Sequence, residues 1–210
     1  MSRGQGAAPR DGAAAPLAIG VLASQGDFAA HAEVLRSLGA EVREVRAPND
    51  LERVDGLVIP GGESTTIMKA LARDGLADAI RAHVGGGGPV LGTCAGMIVL
   101  DREHLGLMDV MARRNAFGRQ LQSFETDLKI KGVGEDPLRA VFIRAPWIEE
   151  SGEEVEVLAE YEGHPVVVRE RRLLACAFHP ELTDDSRLHA LFMGIVTAAR
   201  DSRDEVTSQQ

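Results

Sequence analysis

The chain has 210 residues, 44% of them apolar and 26% charged, which suits one well-buried globular domain and excludes a disordered chain. Its 32 acidic residues against 23 basic ones leave a formal charge of −9, which disfavours phosphate-backbone binding as the main activity, and nucleic acid is not expected as a partner. No apolar run approaches the roughly 18 residues of a membrane helix, and two cysteines exclude a disulfide framework; a chain with no bilayer span, in a reducing cytoplasm, is expected.

Residues 1–16, rich in Ala, Gly and Arg and without the apolar core of a secretory signal, read as a disordered extension to a domain over residues 17–200, with residues 201–210 as a polar tail. Residues 17–22 read as a buried strand, and residues 28–38 carry apolar side chains at helical spacing before Gly39 stops them. Residues 41–46 alternate as a second strand, and residues 56–59 form a short third one that ends at Pro60-Gly61-Gly62. Ser64 or Thr65 caps the next helix, which Ile67, Leu71 and Ile80 carry to about His83. The glycine run 85–88 has no Lys-Ser/Thr sequel and reads as a flexible connection, not a phosphate loop.

Residues 89–92 form the next strand, and the apolar run 97–100 continues as a helix, which leaves Cys94 at the turn between them. Beyond residue 110 strands prevail, at 124–130, 140–143, 155–161, 166–169 and 173–178, before a terminal helix over 186–199. With aromatics at only 4%, the core is built from Val, Ile, Leu and Ala, as where helices cover both faces of a sheet. Alternating strands and helices in the first half predict a parallel sheet whose strand-end loops share one edge, the edge where open α/β sheets bind ligands. The strand-rich second half is expected to extend or flank that sheet.

Gly92-Thr93-Cys94-Ala95-Gly96 has the Gly-x-nucleophile-x-Gly form of a nucleophile elbow, with Cys in the place of Ser. Small neighbours are needed there because side chains two residues either side would strike the adjoining chain. A helix N-terminus after the turn favours thiolate over thiol. Taken alone, the five residues fit a buried cysteine in a glycine-rich turn equally well. His179-Pro180-Glu181, after the last strand, supplies a base and its orienter: His179 to take the thiol proton and return it to a leaving group, and Glu181 to hold the imidazole. Pro60-Gly61-Gly62-Glu63-Ser64 places exposed amides after a short strand, so Gly62 and Ala95 are the candidate oxyanion donors. Cys176, in an apolar run, reads as a buried thiol. His31, His83, His104, His164 and His189 show neither metal-ligand spacing nor cysteine partners, so no metal site is expected.

The elbow together with His179-Pro180-Glu181 resembles the class I, or triad, glutamine amidotransferases. With the runs from Leu22 to Gly26, Pro60 to Thr66, Arg114 to Gln120, Phe142 to Pro146 and Phe178 to Thr183, the resemblance narrows to the glutaminase subunits of pyridoxal phosphate synthase. It implies a flavodoxin-like three-layer α/β domain that hydrolyses L-glutamine and passes ammonia to a separate barrel-shaped synthase subunit in a hetero-oligomeric complex. It also implies that Gly62, Glu63, Ser64, Arg114, Ile143 and Arg144 contact glutamine and that Gln25 faces the partner. The chemistry requires no metal or organic cofactor. Two departures from the pattern stand out: Leu100 is followed closely by His104-Leu105-Gly106-Leu107 where a longer connection is common, and Ser24 stands where Leu commonly precedes Gln-Gly. The rival readings are a glutaminase that feeds another synthase, such as one making histidine or purine precursors, and a noncatalytic binding module that keeps the fold.

Overall fold

The computed structural model describes residues 15–24, 26–117 and 123–207, with side chains described through Glu205. The extension expected over residues 1–16 therefore lies outside the described residues up to residue 14. A seven-stranded sheet organises the chain. β1 (Ala18–Leu22), β2 (Glu41–Val45), β3 (Gly56–Ile59), β4 (Val90–Thr93) and β11 (Leu173–Cys176) run parallel in the order β2-β1-β3-β4-β11, and β10 (His164–Glu170) and β9 (Glu156–Tyr161) complete it antiparallel. In β3, β4 and β11 every residue is buried, so both faces of the sheet are covered. Only a three-layer arrangement does this, and it explains why those strands read as unbroken apolar runs. At the parallel edge β2 alternates charges instead, and Arg43 pairs with Glu41 along the exposed border.

Helices α1 (Phe28–Ser37), α2 (Ser64–Arg73), α3 (Leu76–Gly85), α4 (Ala95–Leu100) and α5 (Arg187–Thr207) supply the outer layers. The sequence pattern predicts one helix from Ser64 to about His83, and the structure breaks it at Gly75. That residue is left-handed (φ +69°), ending α2 and starting α3 in one step, which only glycine does without strain. Another difference is α5, which runs eight residues past the last apolar position of the pattern, Ala199; Asp201 and Ser202 there are exposed, so periodicity carries no signal. No described helix is long and apolar enough to cross a membrane.

The second half both extends and flanks the sheet. β9 and β10 form a hairpin through Glu162 and Gly163, both with positive φ, as the twist of a two-residue turn demands. β6 (Ser123–Leu128) pairs antiparallel with β7 (Leu138–Ile143), and β5 (Val110–Arg113) with β8 (Trp147–Ser151). β5 and β8 are absent from the sequence-based expectation: they are short, and Arg113, Glu149, Glu150 and Ser151 are exposed. The short connection after Leu100 is held by the buried Asp101 carboxylate, which accepts hydrogen bonds from the amides of Glu103, His104 and Ala112 and from the His104 ring at 2.7 Å.

Candidate active site

β4 and β11 are parallel neighbours with Cys176 opposite Thr93, so the residues that follow each strand emerge side by side at one sheet edge. Cys94 follows β4. Its amide donates to the Cys176 carbonyl at 2.8 Å, and its backbone sits at φ +48°, ψ −108°, outside the comfortable range of any side-chain-bearing residue. A Cβ on Gly92 would lie 2.6 Å from the Gly96 carbonyl oxygen, and one on Gly96 would lie 2.1 Å from that of Ile59. The elbow therefore needs both glycines for lack of room.

β11 ends at Cys176, two residues short of its expected limit, and Ala177 and Phe178 lead to His179, whose amide donates to the Val141 carbonyl of β7 at 2.9 Å. A short 3-10 turn, Pro180–Leu182, then folds Glu181 back under the ring, where Oε1 lies 2.8 Å from His179 Nδ1. This contact leaves Nε2 for the thiol side. The closeness of ring and thiol is fixed by Gly61, where a Cβ would meet His179 Cε1 at 2.6 Å and Cys94 Cβ at 3.3 Å. Burial works against a charged His179 ring, yet hydrogen bonding with the Cys94 sulfur and with Glu181 pushes its pKa up to about 10. The imidazole thus keeps its proton through neutrality. Burial also acts to raise the Glu181 pKa, but the His179 hydrogen bond and the nearby His31 and His179 rings bring it below the usual carboxylate range.

A cleft of about 400 Å³ opens over these groups, lined by Gly62, Glu63, Ser64, Cys94, Ala95, Arg114, Ile143, Arg144 and His179 among others. The structure therefore gathers the residues singled out in the sequence onto one cavity. Two stand apart from its lining: Glu181 is buried behind His179, and Gln25 lies outside the described residues, as do Gly118, Arg119 and Gln120 of the Arg114 run. Gly62 has φ +142°. Glu63 caps α2: its carboxylate accepts from the Thr66 hydroxyl and from the amides of Thr65 and Thr66, which lowers its pKa to about 2, and its Oε1 pairs with Arg114 at 2.6 Å across the rim. The Ser64 hydroxyl is buried without a protein partner. Among the described residues five non-glycine positions have positive φ, and three of them, Cys94, Asn115 and Arg144, line this cleft, a concentration of backbone strain typical of functional sites.

Sequence reasoning passed over His31 and His189. His31, on the inner face of α1, stands 3.2 Å from Glu181 Oε2 and 3.1 Å from Thr93 Oγ1 through Nε2, and 2.9 Å from His189 Nε2 of α5 through Nδ1. Both rings are wholly buried. The signal was present: His31 precedes Ala32 and Leu35 on the apolar stripe of α1, and a polar ring on an inward face demands a polar partner. Burial lowers the His31 pKa, and burial with the neighbouring His31 pushes that of His189 down to about 3. Each ring holds a proton less readily folded than unfolded, where histidine titrates near pH 6.5, so the unfolded chain binds more protons as the pH falls below that value and stability falls with it. The decline for His189 is expected between about pH 6.5 and 3, at up to about 1.4 kcal/mol per pH unit. Urea unfolding at pH 7, 6 and 5 measures it, and His189→Gln is expected to flatten the slope; an unchanged slope would contradict the burial of a neutral ring.

The sequence model of the SNO glutamine amidotransferase family matches residues 21–198, from β1 through most of α5. Over 191 residues the chain is 54% identical to the pyridoxal 5'-phosphate synthase subunit PdxT of Streptomyces avermitilis, covering 87% of this chain and 95% of that protein. It is 49% identical over 185 residues to the PdxT subunit of Thermotoga maritima, covering 85% and 98%. A solved structure described as a glutamine amidotransferase superposes with a TM-score of 0.81 at 46% identity, covering 85% of this chain and 98% of that one. A GMP synthase-like protein of Thermoplasma acidophilum, at 20% identity and a TM-score of 0.73 over 91% of this chain and 99% of that one, shares the fold. Elbow, His-x-Glu turn and the sheet edge that joins them all fall within the matched span, and the chain belongs to the SNO glutamine amidotransferase family.

Proposed function

We propose that this chain is the glutaminase subunit of a pyridoxal phosphate synthase: it hydrolyses L-glutamine to L-glutamate through Cys94, His179 and Glu181 and delivers the ammonia to a synthase subunit. The observation that carries this reading is the crowding of Cys94 and His179 around bare Gly61, with Glu181 on the far nitrogen of the ring. In this mechanism the Cys94 sulfur attacks the side-chain amide carbon, and the new oxyanion is met by the amides of Gly62 and Ala95, each worth roughly 3 kcal/mol in such a role. His179 gives its proton to the departing nitrogen, ammonia leaves, and a thioester remains. Water, deprotonated by the now neutral imidazole, cleaves the thioester to glutamate and expels the Cys94 sulfur as thiolate beside the reprotonated ring. Glu181 keeps the ring oriented throughout.

The α-amino acid end of glutamine falls to the other side of the cleft, where Glu63, Ser64, Arg114, Ile143 and Arg144 present acid, hydroxyl, guanidinium and backbone groups. No step requires a metal or an organic cofactor. Gln25 is assigned to the partner-facing side. Both cysteines are free thiols, which fits a reducing cytoplasm. The likeness to the GMP synthase-like protein supports the fold alone, so the choice of partner rests on the PdxT relatives.

Pyridoxal phosphate contains a single nitrogen, so the delivery step is tested by supplying glutamine labelled at its amide nitrogen to this chain together with a pyridoxal phosphate synthase subunit. Labelled pyridoxal phosphate is expected, and none when a purine-type or histidine-type synthase replaces that subunit. Label that appears only with one of the other synthases would overturn the partner assignment, and glutamate without labelled product would overturn delivery.

A further inference from the structure

We propose that His31, backed by His189, is a positioning residue that ties the nucleophile strand to the carboxylate orienting the base. The proposal rests on the assignment of Cys94, His179 and Glu181 above. Its substance is where one nitrogen lies: His31 Nε2 is 3.1 Å from the hydroxyl of Thr93, the residue before the nucleophile, and 3.2 Å from Oε2 of Glu181, the carboxylate beneath His179. Glu181 Oε2 has no well-directed hydrogen bond of its own, being off the line of the His31 N–H that meets Thr93, so His31 is the polar group that faces this buried charge. Neither His31 nor His189 lines the cleft; both act from behind it.

The contacts select the tautomers. A bare Nε2 would set a partly negative nitrogen 3.2 Å from a buried carboxylate oxygen, which is unfavourable, so Nε2 carries the proton. Nδ1 of His31 is then an acceptor, and His189 Nε2–H, 2.9 Å away, donates to it. His189 Nδ1 is left as a buried bare acceptor. The opposite arrangement would strand a buried N–H there, which native structures tolerate less well than an unused acceptor. Donors therefore point in sequence from His189 to His31 and from His31 toward Thr93 and Glu181. Four elements, α5, α1, the end of β4 and the 3-10 turn, converge on this chain of contacts. The ionisable groups that face it are Glu181 and His179 from the turn, Asp27 before α1, and Cys176 and Cys94 beyond Glu181.

Without the His31 Nε2 donor, the Glu181 carboxylate loses its facing polar group, takes up a proton at higher pH, and holds His179 less well. Such misplacement costs about 10- to 100-fold in rate. Two polar replacements of similar bulk separate this from a packing role. In His31→Gln the side-chain amide nitrogen falls near the position of Nε2; in His31→Asn the side-chain amide oxygen can take the place of Nδ1 and accept from His189 Nε2–H, so the link to His189 is kept and the donor facing Thr93 and Glu181 is lost. Each variant is assayed, with the synthase subunit present, for kcat and KM of glutamate release against pH, and separately for the pH dependence of Cys94 alkylation by iodoacetamide, read by mass spectrometry. Unfolding temperature is measured alongside.

The expected result is that His31→Asn loses about 10- to 100-fold in kcat with KM little changed and its acid limb moved to higher pH, while His31→Gln recovers most of the rate. Equal kcat and equal pH profiles in the two variants, both folded, would overturn the proposal, as would a loss in both that tracks only their unfolding temperatures. Should the wild type release no glutamate, the proposed function fails by itself; the alkylation profile still decides the positioning role, and identical profiles in Asn and Gln variants would reject it.

Discussion

Alanine in place of Cys94 is expected to lower glutamate release by about 10⁴- to 10⁶-fold, the scale seen when a covalent nucleophile is removed from a triad. The fold is expected to survive, because the side chain lines the cleft and the substitution deletes one sulfur from its wall. Alanine keeps the Cβ and with it the strain of φ +48°, so unfolding free energy is expected to change by no more than about 1 kcal/mol. Cys94→Gly makes the argument sharper. Glycine relieves the left-handed strain, so this variant is expected to be equally inactive yet more stable than Cys94→Ala by about 1 kcal/mol. The strain is thus a stability cost borne to present the sulfur. Urea melts of all three proteins, and glutamate assays in the presence of the synthase partner, measure both halves; wild-type release by Cys94→Ala would end the nucleophile assignment.

What the sequence disclosed was what local patterns encode. β3, β4 and β11 are legible because both faces of each are covered and the runs are apolar save for Thr93 at the end of β4. The elbow is legible because two glycines at fixed spacing answer to a steric need that β3 and α4 impose. β5 and β8 were not, because four and five residues carrying exposed charges look like loop until the partner strand, distant in sequence, supplies the hydrogen bonds. The break at Gly75 was not legible either, since apolar residues at helical spacing continue across it into α3.

The site divides the same way. Cys94 and His179 each follow a strand, so chain position alone brings them to one edge once β4 and β11 are neighbours. His31 and His189 sit within helices, 158 residues apart in sequence, and nothing in their flanking residues says that they meet. Their role depends on which helix covers which strand, a tertiary fact with no local signature.

Alanine at Gly96 is expected to damage the protein more than any other single methyl group added at the elbow. The new carbon would lie 2.1 Å from the Ile59 carbonyl oxygen and 3.0 Å from its carbon, both backbone atoms of a central strand that cannot swing aside as a flexible side chain would. Relief requires α4 and β3 to part, against Ile59, Met97, Val99 and Leu100, all fully buried. Such overpacking costs about 3 kcal/mol or more. The same separation moves Gly62, three residues beyond Ile59, away from Ala95, and a shift near 1 Å between paired groups is enough to lose about 100-fold in rate. Stability and activity are therefore expected to fall together. Gly194→Ala is the contrasting case: it lies within α5, has nothing within 4 Å of its added carbon, and replaces a poor helix former with the best one. It is expected to stabilise the chain by about 0.4–1 kcal/mol and leave glutamate release unchanged. If Gly96→Ala melts like the wild type and keeps its activity, the close approach of α4 to β3 is not what shapes the elbow, and the steric reading of the Gly-x-Cys-x-Gly spacing is wrong.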